Sequence, residues 1–534
     1  MNTKHTPRDQ RGTTMREFRI LSPLTAKELP MVFISHTATE IDRIVSKSNQ
    51  AFEIYRQLSG KEKSLFLKEI AVQLIAERES IISQCAKETG LPIPRLIAEF
   101  DRTIHQLHLY GDLVYEGSWV NARIDRADPL RQPIPKPDVR QMQIPLGPVG
   151  VFCASNFPLA FSVAGGDTVS ALAAGCSVVV KGHSAHLGTA HVVVGAIKEA
   201  AQRMGLPEGL VELVQGMGKD VGIELVTNPA IKAIGFTGST QGGLAISKTA
   251  AERPEPIPVY AEMGSVNPVF ILPEAMQENG EGIAEGLAAS ATLSVGQFCT
   301  NPGLTITLAE HAGPFMKRLK THFETVPWGT MLTLDIKKAY DEGIERILGI
   351  KGVELIASGA VTDTPFGGTA YLLHTKAETL LDNHELMEEV FGPETLVVTC
   401  TDKGQLLAVA AALHGSLTGT IHGTSKDVAE YDDLRRILEG KVGRLVFNGF
   451  PTGVEVCHSM VHGGPFPATS DAKFTSVGTM AIYRFTRPIC YQSCPKDLLP
   501  KELHDDNPLG ICRLIDGKFT KDILLNFKKG GNMP

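Results

Sequence analysis

Residues 147–181 read GPVGVFCASNFPLAFSVAGGDTVSALAAGCSVVVK: two short apolar runs, 149–153 and 177–181, separated by a small-residue segment with helical character at 168–174. A strand that is apolar at every position is buried on both faces, and a helix between two such strands makes them parallel. The alternation continues, with runs at 210–215, 231–236 and 258–262 separated by helical patterns at 189–204, 220–227 and 244–252. This predicts an α/β fold built on a doubly wound parallel sheet. Ligands of such sheets bind beyond the carboxyl ends of the strands, and Asn156, Lys181, Gly216 and Gly238 each follow a run. A second alternating series, with runs at 353–356, 395–398, 417–422 and 444–447, predicts a second α/β unit.

The flanks read differently. Thr37 with Glu40 forms a capping box ahead of Ile41, Ile44, Val45, Phe52 and Tyr55 at helical spacing, and Leu67, Ile70, Ala71, Leu74 and Ile75 mark a second helix. Between 125 and 144, Pro129, Pro133, Pro135 and Pro137 exclude a regular helix and predict an extended arm. The expected organisation is an N-terminal tail at 1–34, a dinucleotide-binding domain from 35–125 and 146–262, a catalytic domain at 263–474, and oligomerisation segments at 126–145 and 475–515.

At 534 residues, with 43 % apolar and 21 % charged residues, the chain can bury a large core. A net charge of -7 with dispersed Lys and Arg offers no field for nucleic acid or an anionic membrane. Nine cysteines, unclustered apart from Cys490 and Cys494, point to a reducing cytoplasm and not to disulfide staples. The first residues carry Lys4, Arg8, Asp9 and Arg11 without an apolar stretch, so neither a secretory signal nor an anchor is expected, and Met1 and Met15 both stand as candidate starts. No metal is expected, because Cys490-x3-Cys494 lacks a second ligand pair.

Three features carry chemistry. Cys299, 37 residues after Glu262, precedes the turn Pro302-Gly303, where a thiol can face a cleft. Unpaired cysteines are more often small buried hydrophobes, and the other eight follow that reading. Glu262 ends an apolar run, where a carboxylate is costly unless solvated, salt-bridged or functional. Gly238-Ser239-Thr240-Gln241-Gly242-Gly243 joins a strand to a helix and can cradle a phosphate, although its Gly-x4-Gly spacing also suits an ordinary tight turn. A thiol that adds to an aldehyde, an oxidant that takes a hydride and a base that activates water together make an acid from an aldehyde.

These motifs occur in one order: Asn156-Phe157-Pro158, Lys181, Phe236-Thr237-Gly238-Ser239, Glu262-Met263-Gly264, Gly296-Gln297-Phe298-Cys299 and Glu389-Val390-Phe391-Gly392-Pro393. In that order the chain resembles the aldehyde dehydrogenase superfamily over about 35–485. Asn156 to Ser162, Pro254 to Met263 and Cys299 to Gly303 resemble its NADP-preferring branch of α-ketoglutaric semialdehyde (2,5-dioxovalerate) dehydrogenases, a branch shared with a long-chain fatty aldehyde dehydrogenase.

The resemblance implies Cys299 as nucleophile, Asn156 as oxyanion donor and Glu262 as general base. It places Lys181, Glu389, Gly238, Ser239, Gly243 and Phe391 on the cofactor. Ser184, where NAD-specific relatives carry an acid, and Lys219 imply NADP first, with NAD also accepted. Phe157, Phe161, Phe298, Thr300, Pro451 and Val454 would line the pocket for a small-molecule aldehyde. A homodimer or homotetramer is implied as well. The rival readings are a fatty aldehyde dehydrogenase and a catalytically silent binding member of the fold.

Overall fold

A computed structural model describes residues 17–216 and 219–524. The first sheet has five parallel strands in the spatial order Val211–Val214, Val178–Lys181, Val149–Phe152, Ala233–Thr237, Val259–Glu262. The chain moves outward from Val149–Phe152 first to one side and then to the other, so the order reverses between Val149–Phe152 and Ala233–Thr237. The loops leaving those two strands carry Asn156 and Gly238, which puts both at the crevice where doubly wound sheets bind ligands. Apolar layers cover both faces, one around Val178, Val180 and Leu172 and the other around Val179, Ile234 and Leu225. That double burial is why these strands read as unbroken apolar runs.

The second sheet has seven strands: Glu354–Ser358, Tyr371–Lys376, Glu394–Cys400, Leu304–Leu308, Val269–Ile271, Ser416–His422 and Val442–Phe447. All neighbours run parallel except the first pair. The expected second α/β unit is thus present, with one antiparallel strand at its edge. Residues 359–370 contain no helix, so the chain turns back on itself where a parallel neighbour needs a longer crossover.

The proline-rich arm is real. Val139–Pro145 pairs antiparallel with Thr486–Gln492 within a small five-stranded sheet that also holds Arg123–Asp125. The Thr37–Glu40 capping box forms as read. Where a tail through residue 34 was expected, Glu17–Leu21 and Glu28–Ile34 instead pair as antiparallel strands. Ile20 and Phe33 are buried with Leu187, and Phe33 stacks on the His191 ring at 5.9 Å, which gives this segment a reason to dock.

One ion pair locks the arm's return to the first sheet. Arg484 Nη1 lies 2.7 Å from Asp167 Oδ1, with both side chains under one-tenth exposed. Asp167 opens the helix Gly166–Ala174, and the Arg484 guanidinium also sits 4.9 Å over Phe485. Removing one partner strands the other charge in the interior, so Asp167→Ala should destabilise the protein by about 3–5 kcal/mol. Chemical denaturation checks this, and Asp167→Ala with Arg484→Met should recover part of the loss.

Candidate active site

Cys299 follows a turn that no ordinary sequence adopts easily. Ser294, Val295 and Gly296 have φ of 49°, 59° and 63°, and a left-handed conformation is a true outlier for β-branched Val295. Gly296 cannot be replaced without displacement, since a Cβ there would sit 2.1 Å from the Gly392 carbonyl oxygen. The turn is thereby pressed against the Glu389–Pro393 segment. Asn267, itself at φ 47°, donates from Nδ2 to the carbonyls of Cys299 and Asn301, each at 2.9 Å. Strain of this kind persists only where surrounding contacts over-determine it.

Around the thiol, three chain segments converge. His462 Nε2 lies 3.3 Å from Cys299 Sγ and 2.9 Å from Glu262 Oε1. The other Glu262 oxygen accepts from Ser476 Oγ. His462 Nδ1 has no partner among the described residues, so a single imidazole nitrogen faces both sulfur and carboxylate. Donor atoms of Cys299, His462 and Glu262 all fall within 4.8 Å of one another. Asn156 Nδ2 donates to the Gln297 carbonyl at 3.1 Å, two residues before the cysteine, which sets its amide beside the thiol. Cys299, Glu262 and Asn156, separated by up to 143 positions in the chain, thus share one site.

Burial pushes the Cys299 thiol well above its ordinary value; the Glu262 and Glu389 carboxylates add to the shift and Arg102 opposes it. Burial also acts to raise Glu262, but His462 and Ser476 outweigh it and hold the carboxyl below its usual range. At neutral pH the site therefore combines a protonated thiol with an ionised carboxylate, linked through one imidazole nitrogen. That arrangement can move a proton off sulfur and can take one from water.

The turn at Gly238 and Ser239 begins the helix Thr240–Ala251, where Ser239 caps by accepting from Gly242 N at 3.2 Å. Gly238 and Ser239 are exposed, whereas the other glycine of the spacing serves packing: a Cβ on Gly243 would meet Met263 Sδ at 2.6 Å. Glu389 lies over Gly264, close enough that a Cβ there would be 2.8 Å from its Oε2 and 3.0 Å from Thr240 Oγ1. Glu389 and Thr240 thus both pack against Gly264, two residues after Glu262. Burial pushes Glu389 up to about 8, partly offset by the Ser265 backbone N–H and reinforced by Glu262. Phe391 lines the same cleft with Gly296 and Asn301. Lys181 ends its strand, and burial lowers its ammonium. Ser184 and Lys219 leave the ends of two adjacent strands, although Met217 and Gly218 beside Lys219 lie outside the described residues. An exposed capped helix end at one side and a buried carboxyl at the other are groups that could hold a dinucleotide.

The pocket wall is aromatic. Phe157 packs edge-on against both Phe161 (5.4 Å) and Phe298 (5.3 Å), and the Phe161 ring lies 6.2 Å from that of His462. Val454 joins the Phe157 and Phe161 cluster, and the Pro451 carbonyl accepts from Arg444 Nη2 at 2.6 Å. Thr300 is buried behind the nucleophile with its hydroxyl unpartnered.

Sequence reading missed His462 as a neighbour of sulfur and missed the helix Ile93–Glu116 altogether as a site element. Its Arg95, Glu99, Arg102 and Gln106 stand at i, i+4, i+7 and i+11, a polar stripe on one helical face that could have been found by periodicity. Arg95 Nη2 donates to the Asn156 carbonyl at 2.7 Å, and Glu99 Oε1 accepts from Leu159 N and Ala160 N.

Against known proteins, residues 10–465 match the aldehyde dehydrogenase family. An alpha-ketoglutaric semialdehyde dehydrogenase 2 of Azospirillum brasilense is 47 % identical, covering 91 % of this chain and 93 % of its own length. An alpha-ketoglutaric semialdehyde dehydrogenase of Acinetobacter baylyi is 45 % identical, over 92 % of this chain and 93 % of its own. Among solved structures, an NADP-dependent glyceraldehyde-3-phosphate dehydrogenase of Bacillus halodurans shares the fold with a TM-score of 0.76 at 21 % identity, over 89 % of this chain and 95 % of that one.

The raised Cys299 thiol has a direct readout. Below its pKa the thiolate fraction grows tenfold per pH unit, so alkylation of Cys299 by iodoacetamide in the free protein should rise about tenfold per unit between roughly pH 7 and 9. Peptide-resolved mass spectrometry separates it from the other cysteines. A plateau by about pH 8 would contradict the shift.

Proposed function

The chain belongs to the aldehyde dehydrogenase family, and we propose that it oxidises 2,5-dioxopentanoate, the semialdehyde of α-ketoglutarate, to 2-oxoglutarate with NADP as preferred oxidant. The family supplies the reaction, aldehyde to acid with NAD or NADP. The observation that carries the assignment of residues is the meeting of Cys299, His462 and Glu262 on one imidazole nitrogen beside Asn156. The substrate rests on the two relatives above 40 % identity, whose names specify it.

In this reading Cys299 Sγ adds to the aldehyde carbon while its proton passes to the Glu262 carboxylate, which His462 Nε2 and Ser476 hold in place and which gives that proton up to solvent before its second role. The developing oxyanion is met by the Asn156 amide and the Cys299 backbone N–H; one such donor contributes about 3 kcal/mol to the transition state. NADP, when bound, supplies the two-electron oxidation that turns the adduct into a thioester. Glu262 then takes a proton from the water that releases the acid. Ser476 orients the carboxylate for that second role.

Lys181 and Glu389 would hold the riboses, the Gly238–Gly243 turn with Ser239 the pyrophosphate, and Phe391 the nicotinamide end. Ser184 and Lys219 favour NADP because a hydroxyl and an ammonium attract a 2′-phosphate where an acid repels it. Residues 35–125 and 146–262 act as the dinucleotide-binding domain and 263–474 as the catalytic domain. The segments 126–145 and 475–515 support assembly into a homodimer or tetramer, since Leu130 and Ile134, on the loop that leads into Val139–Pro145, are 85 % and 68 % exposed. Nine free cysteines support a reducing, cytoplasmic setting, and no described helix is long and apolar enough to cross a membrane.

Steady-state assays of purified protein should show NADP reduction with 2,5-dioxopentanoate far faster than with decanal. In the same assay Ser184→Glu should shift the NADP-to-NAD ratio of kcat/KM toward NAD by at least about tenfold; an unmoved ratio removes the role of Ser184. Glu262→Gln keeps shape but cannot accept a proton, so a single turnover should leave an acyl adduct on Cys299, visible as a persistent mass increase that Cys299→Ala abolishes. Loss of the adduct at the wild-type rate would count against Glu262 as the base.

A further inference from the structure

We infer that Arg102 is the residue that recognises the acid end of the substrate, so that the pocket selects short aldehydes bearing a carboxylate beyond the reacting carbon. The inference rests on the substrate reading above and identifies the group that would enforce it.

Arg102 Nε and Nη2 are both buried and find no hydrogen-bond partner among the described residues. These two nitrogens form one edge of the guanidinium, the edge that meets a carboxylate with two parallel N–H bonds. An interior cation with that edge empty is costly in isolation, and an anionic ligand is what would satisfy it. Two other arginines near the site each leave a single nitrogen unpartnered among the described residues, Arg95 Nη1 and Arg444 Nε, and neither leaves the whole edge empty as Arg102 does. Arg95 is bound to the Asn156 carbonyl and lies 3.7 Å from Glu99, while Arg444 donates to the carbonyls of Gly453 and Pro451. Arg102 makes no ion pair among the described residues, although Glu99 and Glu455 are close enough to influence it.

Its position suits the role. The Arg102 guanidinium carbon lies 5.6 Å from the ring centre of Phe161 and 6.0 Å from that of Phe157. Phe161 is next to His462, and Phe157 is next to Phe298, the residue before Cys299. The charge is thus held one aromatic ring away from the groups around sulfur. A five-carbon chain spans about 5 Å from its aldehyde carbon to its carboxyl carbon. A long alkyl chain would leave the arginine edge dry and unpaired, which disfavours a fatty aldehyde.

The test compares wild type, Arg102→Leu and Arg102→Lys in kcat/KM with NADP for 2,5-dioxopentanoate and for pentanal, the uncharged aldehyde of equal length. The ratio of acid to neutral substrate should fall about 100-fold in Arg102→Leu. Arg102→Lys, which keeps charge but loses the two-pronged edge, should fall by about tenfold and carries the test if the leucine variant does not fold. A residue that only shapes the fold would lower both substrates together, and an unchanged ratio overturns the assignment to Arg102. A wild type that prefers decanal to 2,5-dioxopentanoate overturns the substrate reading itself, whatever the variants do.

Discussion

A carboxylate at the end of a buried strand must find partners, and in this protein that requirement draws the site together. Glu262 is 3 % exposed at the last position of the first sheet. Its two oxygens are met by His462 and Ser476, which come from a segment two hundred positions further on. The same segment is stitched to the strand by backbone: Met263 N donates to the Ala468 carbonyl at 2.8 Å, and Glu262 forms a bridge with Thr469. Because His462 also touches Cys299, satisfying one buried charge brings the carboxylate and its imidazole partner up against the thiol. Structural need and chemical use coincide in a single contact.

The second constraint is mechanical. Three consecutive left-handed residues before Cys299 are unfavourable by an amount of order 1–2 kcal/mol for each non-glycine member. The turn holds because Gly296 is wedged on the Gly392 carbonyl and because Asn267 grips the following backbone. The segment that presses on the nucleophile's turn is also the one that carries Glu389 and Phe391 along the cofactor cleft. Occupancy of one side of the cleft is thereby mechanically adjacent to the position of the sulfur.

Much of this could be read in the chain. The five strands of the first sheet follow the apolar runs within a few residues because burial on both faces writes itself as uninterrupted hydrophobicity. Cys299, Glu262 and Asn156 were legible because each follows an apolar segment at a strand end or sharp turn, where a polar group is out of place. The strands Val269–Ile271, Leu304–Leu308 and Tyr371–Lys376 escaped notice, the first for being three residues long, the second for its interior Thr305 and Thr307 and the third for carrying Thr375 and His374. His462 could not be read from the chain, since its contact with sulfur spans 163 positions and no local pattern encodes it. Arg102 was missed for a related reason: a helix face shows that a charge points inward, not what waits there.

The clasp between Asp167 and Arg484 has a bearing on biosynthesis. Every strand of the first sheet has left the ribosome once residue 262 is out, yet the counter-charge for Asp167 arrives much later. At about 5–20 residues per second, the roughly 300 residues between the two take some 15–60 s to make. Throughout that interval the nascent N-terminal half holds an interior acid without its base. Its final closure is thus coupled to synthesis as far as residue 484, and a product terminated before that point would lack the group that seals it.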